Sequence, residues 1–170
     1  MPTEIHSSAV VHADAVIGEV CRIGPYCCIG PHVTIGPGTR LHSHIVIDGR
    51  TRIGAHCTLF PFASVGVQSQ DLKFREGNLT YTSVGDHTII REHVTVHSGT
   101  DDGTTTSVGS HCALLALSHV GHNCVVGAHV ILSHGATLGG HAIIEDHCNI
   151  GGLSAVHQFA RIGDRAMIGG

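Results

Sequence analysis

An aliphatic residue returns every six positions along almost the whole chain, and that spacing excludes most folds open to 170 residues. The slots run from Ile5 through Val11, Ile17, Ile23, Ile29, Ile35, Leu41, Ile47, Ile53 and Leu59 to Val65. They resume, slipped by one, at Val84, Ile90 and Val96, skip Asp102, and continue from Val108 through Leu114, Val120, Val126, Leu132, Leu138, Ile144, Ile150, Val156 and Ile162 to Ile168. A helical stripe recurs at 3.6 residues and an alternating strand at 2, so neither accounts for a period of six. Short strands joined by tight turns do. Three units close a triangular coil of about 18 residues, and successive coils pair as parallel strands about 4.8 Å apart. The expectation is one all-β domain over residues 1–170, a parallel β-helix of hexapeptide repeats.

The position two residues before the aliphatic also points inward and is often small, as at Ala15, Cys21, Cys27, Cys57, Ala63, Cys112, Ser118, Cys124, Ala136 and Cys148. Six of the seven Cys fall there and only Cys28 does not, so these thiols read as small buried hydrophobes, not metal ligands or nucleophiles. Aromatics make up 4% and Trp is absent, which leaves the core to small aliphatic side chains. Gly commonly follows the aliphatic residue, where the backbone needs either positive φ or close approach to the next coil. A net charge of −4 offers no basic surface to nucleic acid. No window holds the roughly 20 apolar residues of a membrane span, and the N-terminus lacks a signal pattern, so a cytoplasmic location is expected.

Two stretches break the rhythm. Residues 67–82, with Gln70, Asp71, Lys73 and Arg75, and residues 99–106, rich in Thr, Asp and Gly, are expected to project as loops. Loops on a rigid scaffold are where binding residues concentrate.

Seventeen His invite a metal reading, so their positions in the repeat matter. Nine occupy the third residue after the aliphatic, a corner slot: His32, His44, His56, His87, His93, His111, His129, His141 and His147. His6, His12, His42, His97 and His157 stand in the turn-Gly slot, leaving His119, His122 and His134. His119 and His122 lie across one corner, and His141 follows His122 by one coil plus one residue. That places His122 and His141 on adjacent rungs about 5–6 Å apart. Neutral imidazoles so placed suit proton abstraction and substrate hydrogen bonding. A zinc set of His97, His119 and His122 is the alternative the residues leave open, with surface decoration a third.

Phe62-Ala63-Ser64-Val65-Gly66, Gln70-Asp71-Leu72-Lys73, His97-Ser98-Gly99-Thr100, His119-Val120-Gly121-His122, Gly139-Gly140-His141 and Ala155-Val156-His157-Gln158-Phe159 carry a resemblance over essentially the whole chain. The sequence resembles the UDP-N-acetylglucosamine O-acyltransferases that begin lipid A synthesis. That resemblance implies a left-handed helix assembled as a homotrimer, with sites in clefts between subunits. It implies acyl transfer from acyl carrier protein to the 3-hydroxyl of UDP-N-acetylglucosamine with no further cofactor. By motif, His122 falls on the general base and the Gly140 N–H on the oxyanion donor. Gln70, Asp71, Lys73, His119, His141, His157 and Gln158 fall on or beside substrate-contacting positions, and Gly170 falls where acyl length is set.

The sequence departs from the family in two places. Asn123 stands where the family carries Asp after the base; an amide orients an imidazole but supplies no charge to imidazolium. The family also continues past the position of Gly170 with further coils and a helical domain, so this chain is expected to lack that domain. His-Asn at the base also resembles the N-acyltransferase acting later in the same pathway. A zinc-dependent hydratase of the γ-carbonic anhydrase kind and a non-catalytic repeat scaffold are the readings of other classes.

Overall fold

The computed structural model describes residues 2–170. Among these residues lie twenty-five short strands, from β1 (Glu4–Ile5) to β25 (Met167–Ile168), and no helix. Every third strand pairs in parallel. One nine-stranded sheet starts at β1 and ends at β25; a second, of eight strands, runs from β2 (Val10–Val11) to β23 (Ala155–Val156); a third, also of eight, runs from β3 (Val16–Ile17) to β24 (Arg161–Ile162). The three sheets are the faces of a left-handed parallel β-helix.

Most strands are two residues long, the first facing out and the second in. Register stacks like on like: Ile5 pairs with Ile23, Ile23 with Leu41, Leu41 with Leu59. The inward columns form one core in which Ile47, Leu59, Ile90, Leu114, Leu132 and Leu138 are wholly buried, along with Cys21, Cys27, Cys57 and Cys124. Burying each aliphatic side chain contributes roughly 1.5–3 kcal/mol, so regular stacking compensates for the lack of large aromatics. All seven thiols are free and only Cys28 is exposed. Burial raises the thiols of Cys21, Cys27, Cys57 and Cys112, and pushes Cys124 up to about 11.

The corners separate two backbone demands. The glycine after the aliphatic is there for close approach: a Cβ on Gly36 would lie 2.6 Å from the Gly54 carbonyl carbon and from the Ala55 nitrogen of the next coil. Positive φ belongs instead two residues later, at Tyr26, His44, His56, Phe62, His87, His111, Asn123, His129, His141 and their equivalents, with φ near +60°. Outside Gly, Asn and His are among the side chains that best tolerate this left-handed conformation, which explains the histidine-rich corner slot. The rings stack up the prism. His56, His87, His111, His129 and His147 form one exposed column with centroids 4.7–5.1 Å apart.

Both interruptions leave the prism at the same corner, on adjacent coils. Strand β11 (Ser64–Val67) in the second sheet leads through residues 68–80 to β12 (Tyr81–Val84) in the third. One coil later β14 (Thr95–His97) leads through residues 98–104 to β15 (Thr105–Val108). The loops are tighter than the sequence suggested. Val67 pairs with His97 after a register shift, Tyr81 pairs with Arg50 and Thr105, and Thr106 pairs with Thr82. Asp102 is not a missed rung: its segment lies outside the coil, exposed, because Asp101, Asp102 and Gly103 offer nothing to bury. The loops clamp each other. Leu79 N–H donates to Asp102 Oδ1 at 2.7 Å, Asn78 Nδ2 donates to the Thr100 carbonyl at 2.9 Å, and the buried hydroxyls of Ser69 and Thr100 meet at 2.6 Å.

Candidate active site

The corner that releases the two excursions also carries, on the next coils, His122, Gly140, His141, His157 and Gln158. His119 opens β17 (His119–Val120), and His122 sits in the turn that follows. Gly140 and His141 follow β20 (Thr137–Leu138), and His157 and Gln158 follow β23. A cleft of about 460 Å³ opens there, lined by Gln70, Asp71, Leu72 and Lys73 of the first excursion, His97, His119, Gly121 and His122 of the coil, and Gln158.

The His122 ring is held from both sides. Its Nδ1 lies 2.9 Å from Asn123 Oδ1, and the Thr100 backbone N–H donates to the same oxygen at 3.1 Å. A backbone N–H can only donate, so the Asn123 atom facing it is the carbonyl oxygen. Nδ1 must then carry the proton that reaches that oxygen, leaving the Nε2 lone pair free. Nε2 lies 3.6 Å from Asp71 Oδ2, with side-chain exposures of 13% for His122 and 23% for Asp71. Asn123 adopts the left-handed corner conformation, and its N–H donates to Thr106 Oγ1 at 2.8 Å.

The neighbouring imidazoles are kept neutral. Burial, reinforced by His97 and His122, holds His119 down to about 4, and its Nδ1 meets Thr95 Oγ1 at 2.7 Å. Burial, with His122 nearby, also lowers His97, whose ring is edge-on to His119 at 4.9 Å. His141 is lowered by burial and then by His122; its ring stands perpendicular to that of His122 at 5.1 Å and stacks on Phe159 at 4.5 Å. Gly140 lies under the His122 ring: a Cβ there would press on His122 Nε2 and sit 2.5 Å from its Cε1. The Gly140 N–H has no hydrogen-bond acceptor among the described residues.

The structure thus gathers Gln70, Asp71, Lys73, His119, His122 and Gln158 around one cleft, with Gly140 and His141 against the His122 ring. His157 is exposed beside the cleft, its Nδ1 3.2 Å from the Gln158 carbonyl oxygen. Gly170 lies elsewhere, on the corner between the first and second sheets, over Gly152. His97, which the sequence placed in the turn-Gly slot and among the alternative zinc ligands, is a buried wall of the cleft. His97, His119 and His122 all reach it, but the described residues contain no group of three His, Cys, Asp or Glu arranged to hold one metal ion. The contact between Ser69 and Thr100 had no legible signal, because it arises only where the two loops meet.

The family described as "Bacterial transferase hexapeptide (six repeats)" matches residues 2–37 and 105–140. Among solved structures, LpxA from Acinetobacter baumannii is 48% identical with a TM-score of 0.95, over 98% of this chain and 64% of that one. The UDP-N-acetylglucosamine O-acyltransferase of Moraxella catarrhalis RH4 is 43% identical, TM-score 0.94, over 98% and 65%. LpxA of Bacteroides fragilis 9343, a UDP-N-acetylglucosamine acyltransferase, is 30% identical, TM-score 0.77, over 94% and 68%. The chain therefore spans about two thirds of the length of these relatives, and 64% of the first.

Proposed function

The chain belongs to the UDP-N-acetylglucosamine acyltransferase family, and from that footing we propose that it transfers a 3-hydroxyacyl chain from acyl carrier protein to the 3-hydroxyl of UDP-N-acetylglucosamine, the first acylation of lipid A synthesis. We take it to act in the cytoplasm as a homotrimer whose neighbouring subunits complete the cleft. The observation that carries this reading is a histidine with its Nδ1 proton pinned and its Nε2 lone pair free, beside a glycine with an unused N–H.

The chemistry follows from those groups. Nε2 of His122 takes the proton of the sugar 3-hydroxyl as its oxygen attacks the thioester carbonyl. The negative charge that develops on the carbonyl oxygen is met by the Gly140 N–H. As the C–S bond breaks, the imidazolium returns the proton to the departing thiolate, so the products are an ester and a free thiol and the base is regenerated. Lys73 is the one cation among the described lining residues and suits the nucleotide diphosphate. Neutral His119 and His141, with Gln70 and Gln158, offer hydrogen bonds to the sugar; neutrality suits them because a charged neighbour would oppose proton uptake by His122.

The test is direct assay with UDP-N-acetylglucosamine and 3-hydroxyacyl carrier protein, following the O-acylated nucleotide by mass spectrometry. His122→Ala should lower turnover roughly 10²–10⁴-fold, the usual contribution of a general base. A variant as fast as the parent would refute the assignment. Transfer only to the amine of a UDP-3-O-acyl-glucosamine would identify the N-acyltransferase instead.

A further inference from the structure

We propose that Asp71 is the counter-charge of His122, while Asn123 fixes only its tautomer. The proposal rests on the O-acyl transfer reading and locates the charge that reading lacks. On the Nδ1 side, His122 meets an amide oxygen with no formal charge. On the Nε2 side, where the reaction leaves its proton, Asp71 Oδ2 waits at 3.6 Å, and no other carboxylate of the described residues lies within ion-pair distance of His122.

The carboxylate is built into place. Its Oδ1 accepts the Lys73 backbone N–H at 2.9 Å, and the Asp71 N–H donates to Ser69 Oγ at 3.1 Å. Ser69 Oγ is bonded to Thr100 Oγ1, and the Thr100 N–H donates to Asn123 Oδ1, the atom that holds His122 Nδ1. The circuit closes through Nε2 and Asp71. The two clamped excursions therefore set the carboxylate and the imidazole against each other as one unit.

The separation also fits the task. At 3.6 Å, Asp71 lies beyond hydrogen-bond distance of Nε2, so it does not draw the ring proton to that nitrogen and the lone pair stays available. Once Nε2 is protonated, a partly buried carboxylate faces a partly buried cation, where Coulomb attraction is weakly screened. The other groups facing the ring give no such help: His97, His119 and His141 are held neutral by burial, and Lys73 opposes it. The proton passes from hydroxyl to Nε2 to thiolate, and Asp71 takes no part in its transfer. A charge contributed by a loop residue does the work that the family pattern gives to the acid after the base.

The experiment relocates the charge, comparing Asp71→Asn, Asn123→Asp and the double variant with the parent. Asp71→Asn keeps an oxygen for the Lys73 N–H, so the turn should survive. It should lower kcat about 10²-fold, within the range for acid–base groups, with a smaller change in KM. The double variant should regain at least about tenfold. Loss confined to KM, or a double variant no better than Asp71→Asn, overturns the proposal. Side-chain 15N NMR of His122 gives a second readout that needs no turnover. It should show the proton on Nδ1 at pH 8, and at pH 6 an imidazolium fraction that falls in Asp71→Asn, returns in the double variant and exceeds the parent's in Asn123→Asp. A proton on Nε2, or an unchanged fraction in both single variants, overturns it. A parent chain that transfers no acyl group but shows these NMR changes would sink the functional reading and leave the counter-charge standing.

Discussion

Replacing Gly140 with Ala tests whether His122, the proposed base, depends on the bare backbone beneath it. The Gly140 φ lies outside the left-handed region, so alanine strains nothing in the main chain. Its methyl carbon, however, would sit 2.5 Å from His122 Cε1 and 2.9 Å from Cδ2, where ordinary contact begins near 3.4 Å. The ring must recoil by about 1 Å, and a displacement of that size at a reacting group costs on the order of 10²-fold in rate. The Nδ1 bond to Asn123, now 2.9 Å, would be pushed out of its present alignment. Stability should change little, because the yielding group is the free end of a side chain. An off-rotamer imidazole costs roughly 0.5–1.5 kcal/mol, equivalent to a fall in Tm of a few degrees for a domain this size. Alanine keeps the N–H, so loss of the proposed oxyanion donor is not the cause. The assay pairs steady-state acyl transfer with a thermal melt. A variant within about threefold of the parent kcat would refute the idea that Gly140 is there to seat His122.

Other measurements probe the scaffold and its titrating groups. Leu132→Ala, at a wholly buried slot midway along the core, should cost about 2–5 kcal/mol in urea unfolding, whereas Ile131→Ala next to it, 40% exposed, should cost far less; equal losses would contradict the inward–outward assignment. His119 is held to about 4 against an ordinary 6.5, so above pH 6.5 both folded and unfolded states keep it neutral. As pH falls from 6.5 toward 4 only the unfolded state takes up the proton, and stability should fall by roughly 3 kcal/mol over that window. His97 and His141, also lowered, act in the same direction. A urea midpoint in His119→Gln that drops as steeply as the parent's between pH 7 and pH 5 would argue against His119 as a source. With a thiol reagent, one fast reaction at Cys28 is expected in the folded protein and seven thiols after unfolding, since the other six are buried; several fast thiols in the native state would contradict the burial pattern.

The hexad determined the coil, the inward columns and the burial of six thiols, because a period of six lets only one triangular stacking bury every aliphatic slot. It also put His122 and His141 on adjacent rungs, since one coil plus one residue is a distance set by strand spacing. The histidine corners were visible as a slot, though not as left-handed backbone. Motif resemblance reached Asp71 and Lys73, which no periodicity could place.

Only the tertiary structure decided that both interruptions leave at one corner and clasp each other. Loop residues carry no repeat, so Ser69, Thr100 and Asp102 have partners that spacing cannot supply. The same holds for the circuit from Asp71 through Ser69, Thr100 and Asn123 to His122, whose members lie on two loops and a turn of three successive coils. A repeating sequence specifies its rungs locally, through side chains that meet their own copies one coil away. A site built where the repeat breaks is specified by contacts between unlike segments, and those exist only once the prism has stacked.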